Sequence, residues 1–402
     1  MTGRTAGAKM GGILTLNAGS SSLKFALFGP AGEAPLATGL ADRIGLQGSL
    51  RLKDSAGAAL PVAPGSLTSH AQALHCVLDS LHAAFPGIGV GAVGHRVVHG
   101  GPERATHALV DAALLDDLAT LSPFAPLHQP HNLAGIRAAI EAFPEAPQVA
   151  CFDTAFHRSH PWVNDTYGLP RQLYDLGVRR YGFHGLSYDY IAGELARSAP
   201  ALAQGRVVIA HLGNGASLCG LLAGRSIAST MGFSPLDGLP MGTRPGQLDP
   251  GVMLFLMDQQ GMSPQDISDL LYKQSGLLGL SGLSNDMRTL EASPAPEAAQ
   301  AIEYFTARIR LEIGSMAAAL GGIDALVFSG GIGENSALVR AKVCAGMGWL
   351  GIEIDTLANE AHARVVSAAG AATDVLVVPT NEELVIARAT RALAGGGERT
   401  AA

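Results

Sequence analysis

The chain has 402 residues, of which 48% are apolar and 15% are charged, so its composition provides a large core and excludes wholesale disorder. At roughly 100–200 residues per domain, this length favours two domains. The net charge of −7, without any lysine- or arginine-rich run, excludes the basic footprint of a nucleic-acid-binding protein. No apolar run reaches the length of about 18 residues that a membrane span needs, so no membrane contact is predicted. The four cysteines form no Cys-x-x-Cys pair, which favours a reducing, cytoplasmic setting without zinc or disulfides.

The predicted strands are short runs of β-branched and apolar residues bounded by glycine. In chain order they are ILTL (13–16), LKFALF (23–28), AVGHRVV (92–98), QVACF (148–152), RVVIA (206–210), SLCGLL (217–222), DALVFS (324–329) and DVLVV (374–378). The predicted helices repeat apolar residues at i, i+3 and i+4. They cover residues 111–121, 131–143, 297–320, 336–347 and 382–393. Strands that alternate with helices predict an α/β fold.

An internal repeat favours two related domains. The segment ILTLNAGSSSLKFALF from residue 13 aligns without a gap on VVIAHLGNGASLCGLL from residue 207, with Gly19 on Gly213. Each copy predicts a strand, a tight turn of Gly, Ser and Asn, and a second strand. Such a turn presents backbone N–H groups that can cradle phosphate oxygens. Common ancestry of the two copies predicts two similar domains that face each other across nucleotide phosphates, and the alternative is a chance similarity.

Two common nucleotide motifs do not apply to this chain. It contains no Gly-Lys pair and therefore no Walker A loop. The segment GVGAVG (89–94) has the spacing of a dinucleotide fingerprint, but it precedes a predicted strand and opens no helix. We interpret this segment as a turn.

Arg96 is a candidate anion-binding residue because it lies inside an otherwise apolar predicted strand. An unpaired cation there would cost several kcal/mol, so Arg96 needs an anion. The functional interpretation is a substrate carboxylate or phosphate held in a bidentate manner, and the alternative is a buried ion pair with a protein carboxylate. Val98 lies two residues further on, and it is predicted to share a strand face with Arg96. An arginine beside an apolar wall suits a short carboxylate with an alkyl tail.

Polar residues at the ends of other predicted elements are further candidates. Asp153 ends an apolar strand, where α/β folds place catalytic or metal-linked carboxylates, although it could also cap a helix with His157 left at the surface. The segment LVFSGGIGENSALV (326–339) predicts a strand, a Gly-rich turn and a helix, which suits a nucleotide or is an ordinary turn. The Gly-rich loop 229–250, which contains Arg244, is long enough to suggest a function, with a structural loop as the alternative.

Nine segments together resemble the acetate kinase family, in that family's order, from about residue 12 to residue 392. They are LNAGSSSLKF, HRVVHGG, APLHQPHN, FDTAFH, YGFHGLS, AHLGNGAS, MGFSPLDGLPMGTR, FSGGIGENS and NEELVIA. The resemblance implies duplicated ribonuclease H-like (actin-like ATPase) domains with an active-site cleft between them. The first domain would cover residues 1–155 and be joined by a C-terminal helix at 388–402, and the second, nucleotide-binding domain would cover 156–387.

The resemblance also implies an activity, a cofactor and an assembly. The activity is the reversible phosphorylation of acetate by ATP, which gives acetyl phosphate and ADP and serves acetyl-CoA biosynthesis. The cofactor is magnesium, with manganese as a possible substitute, and the protein would be a cytoplasmic homodimer. Two alternatives stay open: a kinase for propionate or another short carboxylate, and a nucleotide-switched ATPase that phosphorylates no acceptor. A substrate panel of short carboxylates with ATP would separate these functions.

The family's catalytic and substrate-binding positions correspond to eight residues of this chain. By resemblance, Asp153 is the essential acid, His184 and Arg244 stabilise the transition state, and Arg96 holds the carboxylate. The apolar pocket around the acetate methyl corresponds to Val98, Leu127, Phe183 and Pro235. Because acetate has a pKa near roughly 4 and is ionised at neutral pH, it needs no general base. We therefore interpret Asp153 as a residue that orients magnesium or its waters.

The family's nucleotide and metal positions correspond to three further groups of residues. Asn17 and Glu382 are the magnesium-linked positions. The phosphate-binding positions are Lys24 after the first turn and, in the second turn, His211, Leu212, Gly213, Asn214 and Gly215. The adenosine-side positions are Asp286, Met287, Arg288, Gly331, Ile332, Gly333, Glu334 and Asn335.

The chain departs from the family pattern at a few positions. Tyr188 stands where the family usually has His, and Ala228 stands where an Asp precedes Thr-Ser. Pro245 replaces a small polar residue, and Gln247 replaces a common Asp. These changes leave the proposed catalytic side chains intact, but they leave open the kinetics, the acyl-chain preference and the hinge behaviour of loop 229–250.

Overall fold

A computed structural model describes residues 11–19, 21–45 and 47–395 of the chain. The strands of these residues are β1 (Gly12–Ala18), β2 (Ser22–Phe28), β3 (Pro35–Asp42), β4 (Ser49–Asp54), β5 (Val90–Val97), β6 (Ala108–Leu109), β7 (Gln148–Phe152), β8 (Arg206–Leu212), β9 (Ala216–Leu222), β10 (Arg225–Ser229), β11 (Ala325–Ser329) and β12 (Asp374–Val377). All eight predicted strands are confirmed by this set, because each was a run of buried apolar residues.

The helices are α1 (His70–Ala84), α2 (Ala112–Thr120), α3 (Gln129–Ala142), α4 (Trp162–Asp165), α5 (Arg171–Asp175), α6 (Gly185–Ser198), α7 (Pro200–Ala203), α8 (Pro250–Asp258), α9 (Pro264–Asp269), α10 (Gly276–Ser281), α11 (Met287–Ala292), α12 (Pro296–Leu320), α13 (Gly330–Asn335), α14 (Ala337–Cys344), α15 (Thr356–Glu360) and α16 (Glu382–Gly395). The five predicted helices are confirmed as α2, α3, α12, α14 and α16. None of the helices within the described ranges is long and apolar enough to cross a membrane.

The chain divides into two compact units. One contains the described residues of Met1–Ala155 and Asn381–Ala402, and the other is Phe156–Thr380. The sequence prediction returns the chain to the first domain at residue 388, whereas the first unit resumes at Asn381. Helix α16 starts at Glu382, so the whole helix belongs to the first unit. Residues 396–402 of the predicted C-terminal helix, like Ser20 of the first predicted phosphate turn, lie outside the described residues.

The first unit contains a seven-stranded mixed sheet in the order β4-β3-β2-β1-β5-β7-β6. Strands β1, β5 and β7 are parallel neighbours. Strands β1 to β4 pair in chain order and antiparallel, and β6 is antiparallel to β7. Helix α16 packs against β1, β5 and β7. It approaches closely at Gly94, where an added Cβ would lie 2.1 Å from Thr390 Oγ1.

The segment GVGAVG (89–94) lies almost entirely within strand β5, which begins at Val90. Its interpretation as a turn is therefore wrong.

The second unit contains a five-stranded sheet in the order β10-β9-β8-β11-β12. Strand β8 is antiparallel to β9 and parallel to β11, and β11 is parallel to β12. This is the order and direction of β3-β2-β1-β5-β7 in the first unit, to which β4 and β6 are added at the two edges. The duplicated α/β architecture predicted from the internal repeat is thereby confirmed.

The two repeated hairpins have the same strand bounds but different registers. The alignment that places Ile13 on Val207 carries β1 onto β8 and β2 onto β9 without a shift. In the first hairpin, however, Ala18 pairs with Leu23, whereas its counterpart Leu212 pairs with Ala216. The second turn is therefore one residue tighter than the first.

Candidate functional site

An ion pair between half-buried Arg96 and buried Asp153 lies at the centre of the candidate site of the first unit. Arg96 lies on β5, and Asp153 directly follows the neighbouring parallel strand β7. Arg96 Nε donates to both Asp153 carboxylate oxygens at 3.2 and 3.1 Å, and Nη2 donates to Oδ2 at 2.6 Å. The anion that the sequence requires for Arg96 is thus a protein carboxylate in this structure, which is the alternative weighed above. The two predicted residues meet because the carboxyl ends of parallel strands share one sheet edge.

Three more predicted residues lie around this pair. Arg96 Nη1 donates to Asn17 Oδ1 at 3.3 Å, and Arg96 Nε lies 3.9 Å from Glu382 Oε2 at the start of α16. Lys24 pairs with Asn17 across the β1–β2 hairpin, and its Nζ lies 2.6 Å from Glu383 Oε1. The first unit therefore gathers the predicted carboxylate holder, the essential acid and both magnesium-linked residues in one cluster.

The cluster is electrostatically coupled. Burial raises the pKa of the Asp153 carboxyl, and the Arg96 guanidinium opposes that rise. Burial disfavours the charged form of Arg96. The negative charges of Asp153 and Glu382 favour that form more strongly, so the pKa of the guanidinium is raised overall. Because an Arg–carboxylate pair at bidentate distance favours both charged forms, the pair is ionised at neutral pH.

The donor set of this cluster suits a magnesium ion that is completed by phosphate and water. Mg²⁺ prefers oxygen ligands and usually takes only one or two carboxylates from the protein. Asn17 and Glu382 supply one amide oxygen and one carboxylate beside the same guanidinium. Among residues 11–19, 21–45 and 47–395, no group of three or more His, Cys, Asp and Glu residues could hold a metal by itself. Asn17 and Glu382 could therefore hold a Mg²⁺ ion only together with further oxygen ligands.

The candidate site of the second unit centres on the turn between β8 and β9. A Cβ added at Gly215 would lie 2.9 Å from Arg244 Nη2 and 3.1 Å from His184 Nε2. The two predicted transition-state stabilisers therefore reach the predicted phosphate turn at the same glycine. Arg244 is oriented by its Nη1, which donates to the Pro235 carbonyl oxygen at 2.8 Å. Only a glycine leaves room here for a ligand oxygen.

His184 is held in an unusual backbone conformation. It precedes helix α6 with φ at +58°, a left-handed value that side chains other than glycine rarely adopt. Such strain is concentrated at functional sites. The ring stacks on that of His211 with 4.3 Å between centroids. The Nδ1 atoms of His184 and His211 lie 2.9 Å from Ser217 Oγ and 2.8 Å from Ser187 Oγ, respectively.

A cavity of about 730 Å³ beside this turn brings together the predicted adenosine-side segments. Its lining consists of Gly213, Asn214, Asn285, Asp286, Met287, Arg288, Glu291, Gly331, Ile332, Asn335 and Ser336. Asp286 is the N-cap of helix α11, and its side chain accepts a hydrogen bond from the Arg288 backbone N–H at 2.9 Å. This volume lies within the range of about 300–1,000 Å³ that is typical of small-molecule sites.

Close backbone contacts and the hydrogen bonds of Glu334 hold the Gly-rich segment beside this cavity. Gly330 has φ at +75°, and an added Cβ would lie 2.7 Å from the Leu212 carbonyl oxygen. Glu334 Oε1 accepts hydrogen bonds from the backbone N–H groups of Gly330 and Thr380 at 2.9 and 3.1 Å. The predicted Glu334 therefore holds the turn, and its carboxylate is engaged by the protein itself.

Arg340 is a residue of this region that the sequence analysis missed. It is fully buried, and its Nη1 donates to the Gly333 and Glu334 carbonyl oxygens at 2.9 and 3.0 Å. Nε and Nη2 donate to Asn359 Oδ1 and to the Asn359 carbonyl oxygen, both at 2.7 Å. The signal was an arginine inside the apolar helical pattern SALVRAKVC, a position that requires compensating partners.

The four residues predicted to surround the acetate methyl are divided between the two units. Val98 is buried and Leu127 half-buried in the first unit, and Phe183 and Pro235 are buried in the second. Strand β5 ends at Val97, so the prediction that Val98 shares a strand face with Arg96 is wrong. Instead, the Val98 backbone N–H donates to Asn132 Oδ1 at 3.0 Å. The pocket itself stays a prediction.

His157 corrects another interpretation. The alternative view of Asp153 places His157 at the surface, whereas its side chain is fully buried. Its Nε2 lies 2.9 Å from the Phe183 carbonyl oxygen, and its Nδ1 lies 2.8 Å from Ser226 Oγ. Burial lowers the pKa of His157 to about 3, so the ring is neutral and supports the segment that leads into His184.

The chain is similar to a known protein family over nearly its whole length. Residues 12–388 match the Acetokinase family. The chain is 56% identical over 393 residues to an acetate kinase of Methylocella silvestris, which covers 95% of this chain and 97% of that protein. It is also similar to the crystal structures of an acetate kinase from Porphyromonas gingivalis (TM-score 0.86, 37% identity, 95% and 99% coverage) and a propionate kinase from Francisella tularensis (TM-score 0.89, 38% identity, 96% and 100% coverage). The chain therefore belongs to the acetokinase family.

Proposed function

We propose that this protein transfers the γ-phosphoryl group of ATP to acetate, reversibly, and forms acetyl phosphate and ADP. The observation that carries the proposal is the convergence of His184 Nε2 and Arg244 Nη2 on Gly215 in the second turn. Similarity to proteins named acetate kinase at 56% and 52% identity favours acetate over propionate. The propionate kinase of Francisella tularensis is less similar, at 38% identity.

The chemistry asks for charge neutralisation rather than proton abstraction. One oxygen of ionised acetate forms the new bond to the γ-phosphorus while the bond to the bridging oxygen of ADP breaks, and no proton has to be removed. Two anions must approach each other, so cations and oriented N–H donors have to offset their repulsion. Arg244 and His184 suit that role at the equatorial oxygens of the phosphoryl group.

Arg96 remains the proposed carboxylate holder although Asp153 engages it. A guanidinium carries five N–H groups. Asp153 accepts from the Nε–Nη2 edge, and the Nη1–Nη2 end is a second edge with the same bidentate geometry. We assign Asp153 the role of holding Arg96 in position for acetate, which replaces the role of orienting magnesium or its waters that the sequence analysis gave it.

The nucleotide and the metal complete the proposed site. The second-unit cavity would take the adenosine, and the backbone N–H groups of Gly213–Gly215 would take phosphate oxygens. Asn17 and Glu382 would hold magnesium or manganese, which supplies positive charge to the phosphates when bound. Lys24 adds a further cation on the first hairpin.

The test is acyl phosphate formation, trapped as hydroxamate, with ATP, magnesium and a panel of carboxylates from one to five carbons. Acetate is expected to give the highest kcat/KM, and no product from either acetate or propionate would exclude a carboxylate kinase. Arg244→Ala is expected to lower kcat by about a hundredfold or more, with the KM for ATP little changed. Arg225→Ala, at an exposed position of the same unit, is the matched control and leaves kcat unchanged.

Self-association and location are part of the proposal. Helix α8 has no buried residue although its sequence is PGVMLFLMD, and Leu254 and Phe255 are 58% and 52% exposed. An exposed apolar helix of this kind favours a second copy of the chain as its partner. Light scattering is expected to find a dimer that Phe255→Glu dissociates and that Leu176→Glu, at another exposed leucine, leaves intact. The four free cysteines are consistent with a cytoplasmic location.

A further inference from the structure

A chain of three polar side chains lies behind the proposed phosphate turn. Ser217 Oγ is 2.9 Å from His184 Nδ1 and 2.5 Å from the Tyr188 hydroxyl. Tyr188 lies in the first turn of α6, and Ser217 lies on β9 opposite His211. Both Ser217 and Tyr188 are fully buried. The hydroxyl of Tyr188 is thus connected to the imidazole of His184 through one serine. We call the side chains of Tyr188, Ser217 and His184 the relay.

The direction of these hydrogen bonds follows from counting hydrogens. Within the described part of the chain, the Tyr188 hydroxyl has Ser217 Oγ as its hydrogen-bond partner. A phenol has one hydrogen, and a buried donor left without an acceptor is costly, so Tyr188 donates to Ser217. Ser217 also has one hydrogen, which it can then donate to His184 Nδ1. Burial raises the pKa of the Tyr188 phenol well above its ordinary value, so it stays a donor.

A neutral imidazole that accepts at Nδ1 carries its proton on Nε2. Nε2 is the ring nitrogen of His184 that lies beside Gly215, at 3.1 Å from the position of an added Cβ. The relay therefore presents an N–H group, and not a lone pair, to the phosphate turn. An N–H donor can stabilise charge on a phosphoryl oxygen, whereas a lone pair would repel it.

We propose that Tyr188 is a positioning residue that acts through Ser217 and holds neutral His184 in the tautomer with its proton on Nε2. The proposal rests on the proposed function, in which His184 donates to the phosphoryl group. It gives Tyr188, one of the departures from the family pattern, a specific task in this chain.

The kinetic test uses Tyr188→Phe, which removes only the hydroxyl. Ser217 can then donate or accept, and kcat is expected to fall about fivefold, the worth of one hydrogen bond, with the KM for ATP changed by less than about twofold. In a Ser217→Ala background the same Tyr188→Phe change is expected to have no further effect on kcat. Tyr181→Phe is the matched control, because this fully buried tyrosine donates to the Gly177 carbonyl oxygen at 2.7 Å and kcat should not change.

A spectroscopic test observes the wild-type protein directly. Imidazole nitrogen-15 shifts distinguish protonated from unprotonated ring nitrogens, and the His184→Asn variant serves only to assign the His184 signals by their loss. A protonated Nε2 and an unprotonated Nδ1 are expected for neutral His184, and the reverse pattern overturns the proposal. Additive kcat losses in the double variant also overturn it, since they would mean that Tyr188 acts independently of Ser217. A wild-type protein that forms no acetyl phosphate would instead refute the proposed function and leave the nitrogen-15 test valid.

Discussion

Replacement of Arg340 by methionine tests how the nucleotide-side segment is held in place. The wild-type side chain is fully buried and donates to the carbonyl oxygens of Gly333, Glu334 and Asn359 and to Asn359 Oδ1. Methionine fills most of the volume but donates nothing. The Glu334 oxygen keeps His362 Nδ1 at 3.2 Å as a second partner. Each of the other three acceptors loses its donor at about 1 kcal/mol or more, which predicts a loss of about 3 kcal/mol in the free energy of unfolding.

Thermal unfolding measures this loss. For a unit of the size of Phe156–Thr380, a change of 1 kcal/mol shifts Tm by about 2–4 °C, so Arg340→Met is expected to lower Tm by about 6–12 °C. The KM for ATP is expected to rise as well, because Gly333 and Glu334 belong to the segment beside the cavity. Lys342→Met is the control on the same helix, since Lys342 forms an exposed ion pair with Glu303 whose loss costs less than about 1 kcal/mol. A Tm within about 2 °C of wild type for Arg340→Met would refute the reasoning.

Three further predictions concern the phosphate turn, the pocket and acid stability. Gly215→Ala is expected to lower kcat by about a hundredfold with Tm unchanged, because its Cβ would lie within 3.1 Å of the donor atoms of His184 and Arg244. Val98→Ala is expected to raise the propionate-to-acetate ratio of kcat/KM by about threefold to tenfold, and an unchanged ratio would exclude Val98 from the pocket. Burial lowers the pKa of His95 and His107 to about 4, whereas unfolded histidines titrate near 6.5. The unfolded chain therefore binds protons first. The free energy of unfolding obtained from urea titrations is expected to fall by about 1.4 kcal/mol per pH unit for each histidine as the pH drops from about 6.5 to about 4, whereas a flat profile would contradict this.

The sequence predicts the strands that are buried and apolar and misses those that are not. Strand β10 has the sequence RSIAS and buries Ser226 completely. This polar side chain can be buried because its hydroxyl lies 2.8 Å from a ring nitrogen of both His157 and His160. Such a strand has no apolar run for a sequence pattern to detect. Helix α1, by contrast, carries sequence signals of its own, because Ser69 caps it and its buried residues recur at helical spacing.

The Arg96 cluster illustrates what a sequence can and cannot say about a site. The apolar surroundings of Arg96 predict that it needs an anion, and the end of a strand marks Asp153 as a candidate. That the two residues are each other's partners depends on which strands are neighbours. Strands β5 and β7 pair in register, with Arg96 opposite Cys151, and the long stretch of chain that separates them contains no signal for that pairing.

The register of the second hairpin shows why Ser217 could not be identified as part of the site. A gapless alignment of the repeat predicts the register of the first hairpin, in which Asn17 faces Lys24, and would therefore place Leu218 opposite His211. The tighter turn places Ser217 there instead. Because a shift of one residue in a strand exchanges the two faces of a sheet, this change decides whether a leucine or a serine lies beside the stacked histidines. The hydroxyl that reaches His184 Nδ1 therefore depends on a single residue of turn length, which the alignment of the two copies leaves unspecified.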